Sequence, residues 1–123
     1  MSMSALALRD AVLRRYADGD RSFRGEDLDV GVLDLRNANL AAADFSEAFI
    51  FADFRGANLA HCRFDGANVK TCDFRGAHLF GASFAGAAID GATFDAIGAA
   101  AADFAGATEQ GHVYSKGDKP HAV

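Results

Sequence analysis

Two cysteines, Cys62 and Cys72, and two histidines, His61 and His78, are the side chains of this sequence best suited to site chemistry. Converging on one point, they could ligate a metal ion, or pair a thiol nucleophile with an imidazole base. Their spacing works against convergence. From Leu35 onward a large apolar residue recurs every fifth position, and each cysteine stands two places before one of them, Phe64 and Phe74, where alanine is the rule. The histidines occupy other places in the unit: His61 lies two after Leu59, and His78 directly precedes Leu79. The cysteines are therefore read as buried thiols standing in for alanine. The twenty-residue repeat described below puts them on opposite walls, beyond the Cα separation of about 7 Å that a disulfide allows. His61 and His78 are read as outward-facing, with His112 and His121 in the C-terminal tail. The chain has no phosphate loop, dinucleotide fingerprint or nucleophile elbow. It is read as no enzyme, with no catalytic residue, cofactor or metal.

The five-residue period fits neither the 3.6 of a helix nor the 2 of a strand. Its centres are Leu35, Leu40, Phe45 and Ile50, then Phe54, Leu59, Phe64, Val69, Phe74, Leu79, Phe84, Ile89, Phe94, Ala99 and Phe104. One residue is missing between Ile50 and Phe54. A small residue sits two places before most centres, as Ala57, Ala67 and Ala77 do, and Asp or Asn directly before many. Glycine is frequent two places after, as at Gly56, Gly66 and Gly76. There it serves a corner that needs positive φ. A longer period overlies the five: DFRGANL at 53–59 returns as DFRGAHL at 73–79. Twenty residues therefore make one coil, and the centres sort into four columns. Phe45, Phe64, Phe84 and Phe104 form one; Leu35, Phe54, Phe74 and Phe94 form the opposite one. Leu40, Leu59, Leu79 and Ala99 form a third, and Ile50, Val69 and Ile89 the fourth. Phe23 and Leu28 extend the first and last columns, with Arg21 and Glu26 making the opening half-coil irregular.

This A-(D/N)-(L/F)-x-x pattern, over roughly residues 21–108, resembles the pentapeptide repeat family. The resemblance implies an all-β solenoid, a right-handed quadrilateral β-helix of about four coils with four pentapeptides per coil. The ends need covers, because bare solenoid ends expose core and unpaired strand edges. Residues 1–20 are read as an N-terminal cap holding a helix over 4–18. Ser4 is its N-cap, Gly19 its C′ residue, and Leu6, Leu8, Val12, Leu13 and Tyr16 its apolar stripe. Residues 109–123 are read as a C-terminal cap and flexible tail, with Val113 and Tyr114 over the last coil and SKGDKPHAV frayed.

The outward sides differ in charge. Asp34, Asp53 and Asp73 alternate with Arg36, Arg55 and Arg75 in two ladders expected to pair with each other. The Leu40–Ala99 side carries no formal charge when His is neutral. It presents Asn58, Ala60, His61, His78 and Phe80, followed by Gly98, Ala100 and Ala101. An uncharged flat side with an exposed Phe80 is a candidate interaction or dimer face. Phe49 and Phe51, beside the missing residue, either form a second patch or place one ring inward; the second is preferred, since register faults re-aim side chains. An acidic group, Asp44, Glu47, Asp65 and Asp103, lies on the Phe45–Phe104 side.

The 123 residues fit one domain, and half are hydrophobic. A net charge of −5 argues against general nucleic-acid affinity, and no direct nucleic-acid binding is expected. No run suits a signal sequence or membrane span, so a cytoplasmic, bacterial protein with free thiols is the expectation. The functional expectation is a protein–protein interaction module with a rigid face, an unidentified protein partner and homodimerisation as an option. The family resemblance implies an alternative: a DNA-mimicking binder of type II topoisomerases such as gyrase, giving resistance to topoisomerase inhibitors.

Overall fold

The computed structural model describes residues 3–120; His121 lies outside them. One helix, α1 (Ala5–Ala17), precedes the repeats. Alanine, leucine and arginine favour it, and the Ser4 hydroxyl accepts the Ala7 N–H at 3.1 Å. At its other end Gly19, at φ +94°, lets the Gly19 and Asp20 N–H groups return to the Tyr16 and Arg15 carbonyls. Val12 is fully buried, and Ala5, Leu8, Leu13 and Tyr16 pack partly against the core. Leu6, expected in this stripe, is 66% exposed. At about 100° per residue, the face holding Ala5, Leu8 and Val12 leaves position 6 on its flank. Arg9 belongs to the packed face, and its Nε donates to Asp34 O at 2.7 Å.

Strand β1 (Asp27–Asp34) pairs in parallel with β2 (Phe49–Asp53). The register jumps within this pair: Leu28 faces Ile50 and Leu33 faces Ala52, so β1 bulges. Leu33, fully buried, fills a small-residue place before Leu35, a core position the repeat pattern did not single out. Arg21 and Glu26 turn away from the core: Arg21 lies 3.7 Å from the Tyr16 ring centroid, and Glu26 pairs with Arg15 at 2.8 Å.

Beyond β2 the chain forms single parallel bridges rather than long strands. They fall in four ladders: Ser22–Asp44–Arg63–Ser83–Asp103, Asn39–Asn58–His78–Ile97, Phe49–Asn68–Ala88–Thr108 and Asp53–Asp73–Thr93. Apart from the twenty-two-residue step from Ser22 to Asp44, the bridges recur at nineteen- to twenty-residue intervals, one ladder for each column of sorted centres. Each bridged residue directly precedes a centre, except Ile97 and Thr108.

The core is a stack of like on like. Rings of Phe23, Phe45, Phe64, Phe84 and Phe104 lie nearly parallel, 4.8–5.2 Å apart. Phe54, Phe74 and Phe94 stack likewise, and the two piles meet edge to face, as in Phe74–Phe84 at 5.4 Å. Both geometries suit aromatic quadrupoles. Their spacing is set by the strand separation of about 4.8 Å between coils.

At the C-terminal end β3 (Thr108–Glu109) and β4 (His112–Val113) form a short antiparallel hairpin. Tyr114 is buried and exchanges backbone hydrogen bonds with Gly106 and Ala107. Val113, expected to cover the end with it, is 60% exposed. Residues 115–120 of the segment expected to fray are held, and 121–123 lie outside the described residues. Ser115 N donates to Asp118 Oδ2, Lys119 Nζ reaches Ala102 O at 2.9 Å, and Pro120 is buried. Among the described residues no helix is long and apolar enough to cross a membrane.

Candidate functional site

The outward surface is built by three repeating positions. The Asp or Asn before each centre accepts, through Oδ1, the N–H two residues on: Asp34 from Arg36, Asp44 from Ser46, Asn58 from Ala60, Asn68 from Lys70 and Asp103 from Ala105. This is the Asx turn that short carboxamides and carboxylates favour. It satisfies one of the two N–H groups per unit that do not bond to a neighbouring coil; the other, two places before each centre, returns to the preceding centre's carbonyl, as Ala57 does to Phe54. The corner follows at positive φ, on glycine at Gly56, Gly66 and Gly76, and on Asn37, Ala42, Glu47, His61 and Thr71 elsewhere.

Phe94 breaks this pattern. Its corner place is Ala96, and the positive φ is deferred to Gly98, followed by a 3-10 turn at Ala99–Ala101. Ala99 stays in the core, yet Ile97 rather than Gly98 pairs with His78. A residue absent from the sequence-based face thus joins it, 47% exposed.

Residues 52–95 match the family model for pentapeptide repeats in eight copies. Those residues carry pentapeptide repeats. The match begins within β2, beside the missing residue, and ends just past Phe94, where the corner is deferred. Pentapeptide-repeat proteins fold as right-handed quadrilateral β-helices and are generally structural or interaction modules. Among solved structures, a pentapeptide repeat protein from the Arabidopsis thaliana thylakoid lumen is 25% identical over 69% of each chain, with TM-score 0.34. One from Nostoc Pcc 7120 is 24% identical over 84% of this chain and 83% of its own, with TM-score 0.40. HetL, a pentapeptide repeat protein involved in heterocyst differentiation regulation in Nostoc sp. strain PCC 7120, is 24% identical over 76% of this chain and 53% of its own, with TM-score 0.27. No curated protein matches the chain in sequence.

On the pentapeptide-repeat frame the uncharged side carries Asn58 and His61 exposed, Ala60 half-buried, and His78 and Phe80 exposed, Phe80 at 53%. His61 sits on a corner at φ +60°, whereas His78 lies in the Asn39–Ile97 ladder. Phe80 lies across Gly98, whose hydrogen would be a Cβ only 2.7 Å from the ring if it were alanine. Phe80 and Ile97 therefore crown this side at its C-terminal end.

The Asp–Arg side pairs with itself. Asp34, Asp53 and Asp73 each hold the arginine two residues on at 2.6–2.8 Å, and Arg36 and Arg55 reach the next coil's aspartate at 3.9 and 3.7 Å. The Arg36 side chain and backbone N–H hold the Asp34 carboxyl well below the usual range. Asp53 and Asp73 are lowered likewise, first by the Arg55 and Arg75 side chains. The acidic group is diluted by cations on its own side: Glu47 pairs with Arg24 at 3.4 Å and Asp65 with Arg63 at 2.8 Å, while Asp44 is half-buried and Asp103 exposed.

Cys62 and Cys72 are free and fully buried. Burial pushes both thiols up to about 12. Their sulfurs donate to the Leu40 and Ile50 carbonyls one coil back, at 2.9 and 3.3 Å. Nothing brings His61 or His78 to them.

Phe49 and Phe51 both face outward, 54% exposed and half-buried respectively. The expectation that one ring turns inward is overturned. Ile50 and Ala52 are both inward, so with a residue missing the chain stays extended through 49–53 and strict alternation puts 49 and 51 on the outer face.

Proposed function

We propose that this protein is a non-enzymatic interaction module that presents a rigid face to a partner protein, with its own copy as one candidate. In this reading it is a right-handed quadrilateral β-helix of about four coils, closed by α1 at one end and by the β3–β4 hairpin with Tyr114 at the other. One observation carries the functional reading: Phe80 and Ile97 stand exposed at the end of a side whose ladder, Asn39–Asn58–His78–Ile97, holds no carboxylate, lysine or arginine. An uncharged, flat, backbone-stiffened surface with an aromatic anchor costs little desolvation or ordering on binding.

A duplex mimic directed at gyrase has less support. The four carboxylates of the acidic group share their side with Arg24 and Arg63, each within 3.4 Å of one of them.

Ala60→Glu with Phe80→Glu tests the face. The double variant should keep its circular dichroism spectrum and lose both self-association in light scattering and the partner recovered by affinity purification. Unchanged hydrodynamic size together with an unchanged set of captured proteins would refute the assignment of this face.

A further inference from the structure

The residue missing between Ile50 and Phe54 leaves a gap in the wall, and the gap has a chemical character. Elsewhere most corner residues donate their N–H to a carbonyl one coil on: Asn37 to Arg55 O, Ala42 to Ala60 O, His61 to Phe80 O and Gly66 to Ala85 O. The carbonyl that should receive the missing corner is Lys70 O. Among the described residues it accepts no N–H; only the Thr71 hydroxyl, from its own corner, donates to it, at 2.6 Å. A carbonyl has two lone pairs, and one is left open here. The gap is a cleft of about 200 Å³, the volume of one large side chain. Phe49 and Phe51 line it with Ile50 between them, Asn68, Lys70 and Thr71 close the next-coil side, and Asp29 in the bulge of β1 completes it.

The lining mixes acceptors with one amide donor, the Asn68 side-chain NH2, whose Oδ1 is taken by the Lys70 N–H. Among the described residues the Asp29 carboxylate takes part in no ion pair and accepts no hydrogen bond; its backbone N–H is satisfied by Asp27. The Thr71 hydroxyl spends its proton on Lys70 O and keeps its lone pairs. The Lys70 ammonium, the one cation on the lining, is engaged 3.8 Å from Asp90 in the following coil. Two phenyl rings, an unpaired carboxylate and an open carbonyl together favour a planar cation with several N–H donors. The chain already stacks guanidinium on aromatic rings at Arg15 over Phe23 and Arg21 over Tyr16, 4.4 and 3.7 Å from the centroids.

We propose that this cleft is a docking slot for an arginine side chain of a partner protein. The guanidinium lies against Phe49 and Phe51, forks onto the Asp29 carboxylate and supplies the hydrogen bond that the missing corner would have given Lys70 O. The slot is separate from the Phe80 face and does not depend on it.

Amide-resolved NMR titration of the full chain with the capped tripeptide acetyl-Gly-Arg-Gly-amide tests this, with the citrulline and lysine counterparts as controls. Arginine at up to about 20 mM, suited to a single-side-chain contact of millimolar strength, should shift the amides of Asp29, Phe49, Phe51, Lys70 and Thr71. The arginine methylenes should move upfield under the rings. The neutral citrulline peptide should leave the amides unmoved, and lysine should bind more weakly than arginine because it lacks the planar fork. Asp29→Asn and Phe51→Ala, both at exposed or half-exposed positions, should each weaken binding about five- to tenfold. A glycine inserted between Phe51 and Ala52 restores the five-residue spacing and should abolish binding while the spectrum stays folded. Equal binding of citrulline, no shifts at the slot, or full binding by the Asp29→Asn protein overturns the proposal. Full binding by a folded insertion variant overturns it as well; should that variant not fold, the two point variants decide.

Discussion

The imidazole of His61 lies directly over Gly81, the corner residue one coil further on. A Cβ on Gly81 would come within 2.7 Å of the ring's Cε1. Both corners have positive φ, +60° and +70°, so a side chain on one corner leans over its successor and requires that successor to be bare. Asn37 over Gly56 and Thr71 over Gly91 repeat the relationship.

Gly81→Ala should therefore cost more than Gly86→Ala. At Gly86 an added Cβ meets only the Gly66 nitrogen, 3.9 Å away, and the cost is that of the left-handed backbone, about 1–2 kcal/mol. At Gly81 displacement of His61 adds about 1 kcal/mol or more. Urea unfolding of the two variants and of His61→Ala/Gly81→Ala checks this: the double variant should fall back to the Gly86→Ala level. Equal midpoints for both single variants would remove the steric part of the account.

Phe64 touches four other rings, stacked on Phe45 and Phe84 and edge-on to Phe54 and Phe74. Phe64→Ala should destabilise by about 3–5 kcal/mol, whereas Phe80→Ala and Phe49→Ala should stay within about 0.5 kcal/mol of the parent. Chemical denaturation separates the two classes, and an inexpensive Phe64 would contradict the stacked core.

The thiols should be silent in the folded state. Cys62 and Cys72, fully buried and raised to about 12, should react with a disulfide reagent at pH 8 only at the rate of unfolding. In the unfolded chain they ionise near pH 8.5. A folded value raised above the unfolded one gives stability that is fully present below about pH 8.5 and is lost as pH climbs toward 12. Stoichiometric labelling of native protein within seconds would contradict this placement.

Acid acts through the opposite sign. Asp34, Asp53 and Asp73 are depressed by their arginines, so their contribution is present above the unfolded aspartate value of about 3.9 and is lost as pH falls through the lower folded values. Arg55→Gln with Arg75→Gln should shrink the acid-induced fall in melting temperature between about pH 4 and pH 2. Half a molar salt should do the same in the parent, since these pairs are exposed. An acid limb indifferent to both would mean the ladders contribute nothing.

Much of this was legible in the residue order. The five-residue beat named the inward centres from Leu35 to Phe104, the two phenylalanine columns and the cysteines as alanine substitutes, because each of these depends only on a residue's place within its own pentapeptide. The helix limits were legible for the same reason: Ser4 and Gly19 act on their own neighbours.

Relations between coils needed the fold. Whether His61 crowds a glycine, or which carbonyl is left without its donor, depends on a residue nineteen or twenty places away and on faults accumulated between. The pattern showed the first of two such faults but not its consequences, and the second escaped it. The missing residue before Phe54 left Phe49 and Phe51 outside and the Lys70 carbonyl open, and the deferred corner after Phe94 put Ile97 on the ladder where Gly98 was expected. The orientation of α1, which exposes Leu6 and engages Arg9, and the anchoring of the chain through Lys119 likewise depend on contacts with distant backbone. Periodicity fixes what a side chain faces within its own turn of chain; only stacking decides what it meets on the next.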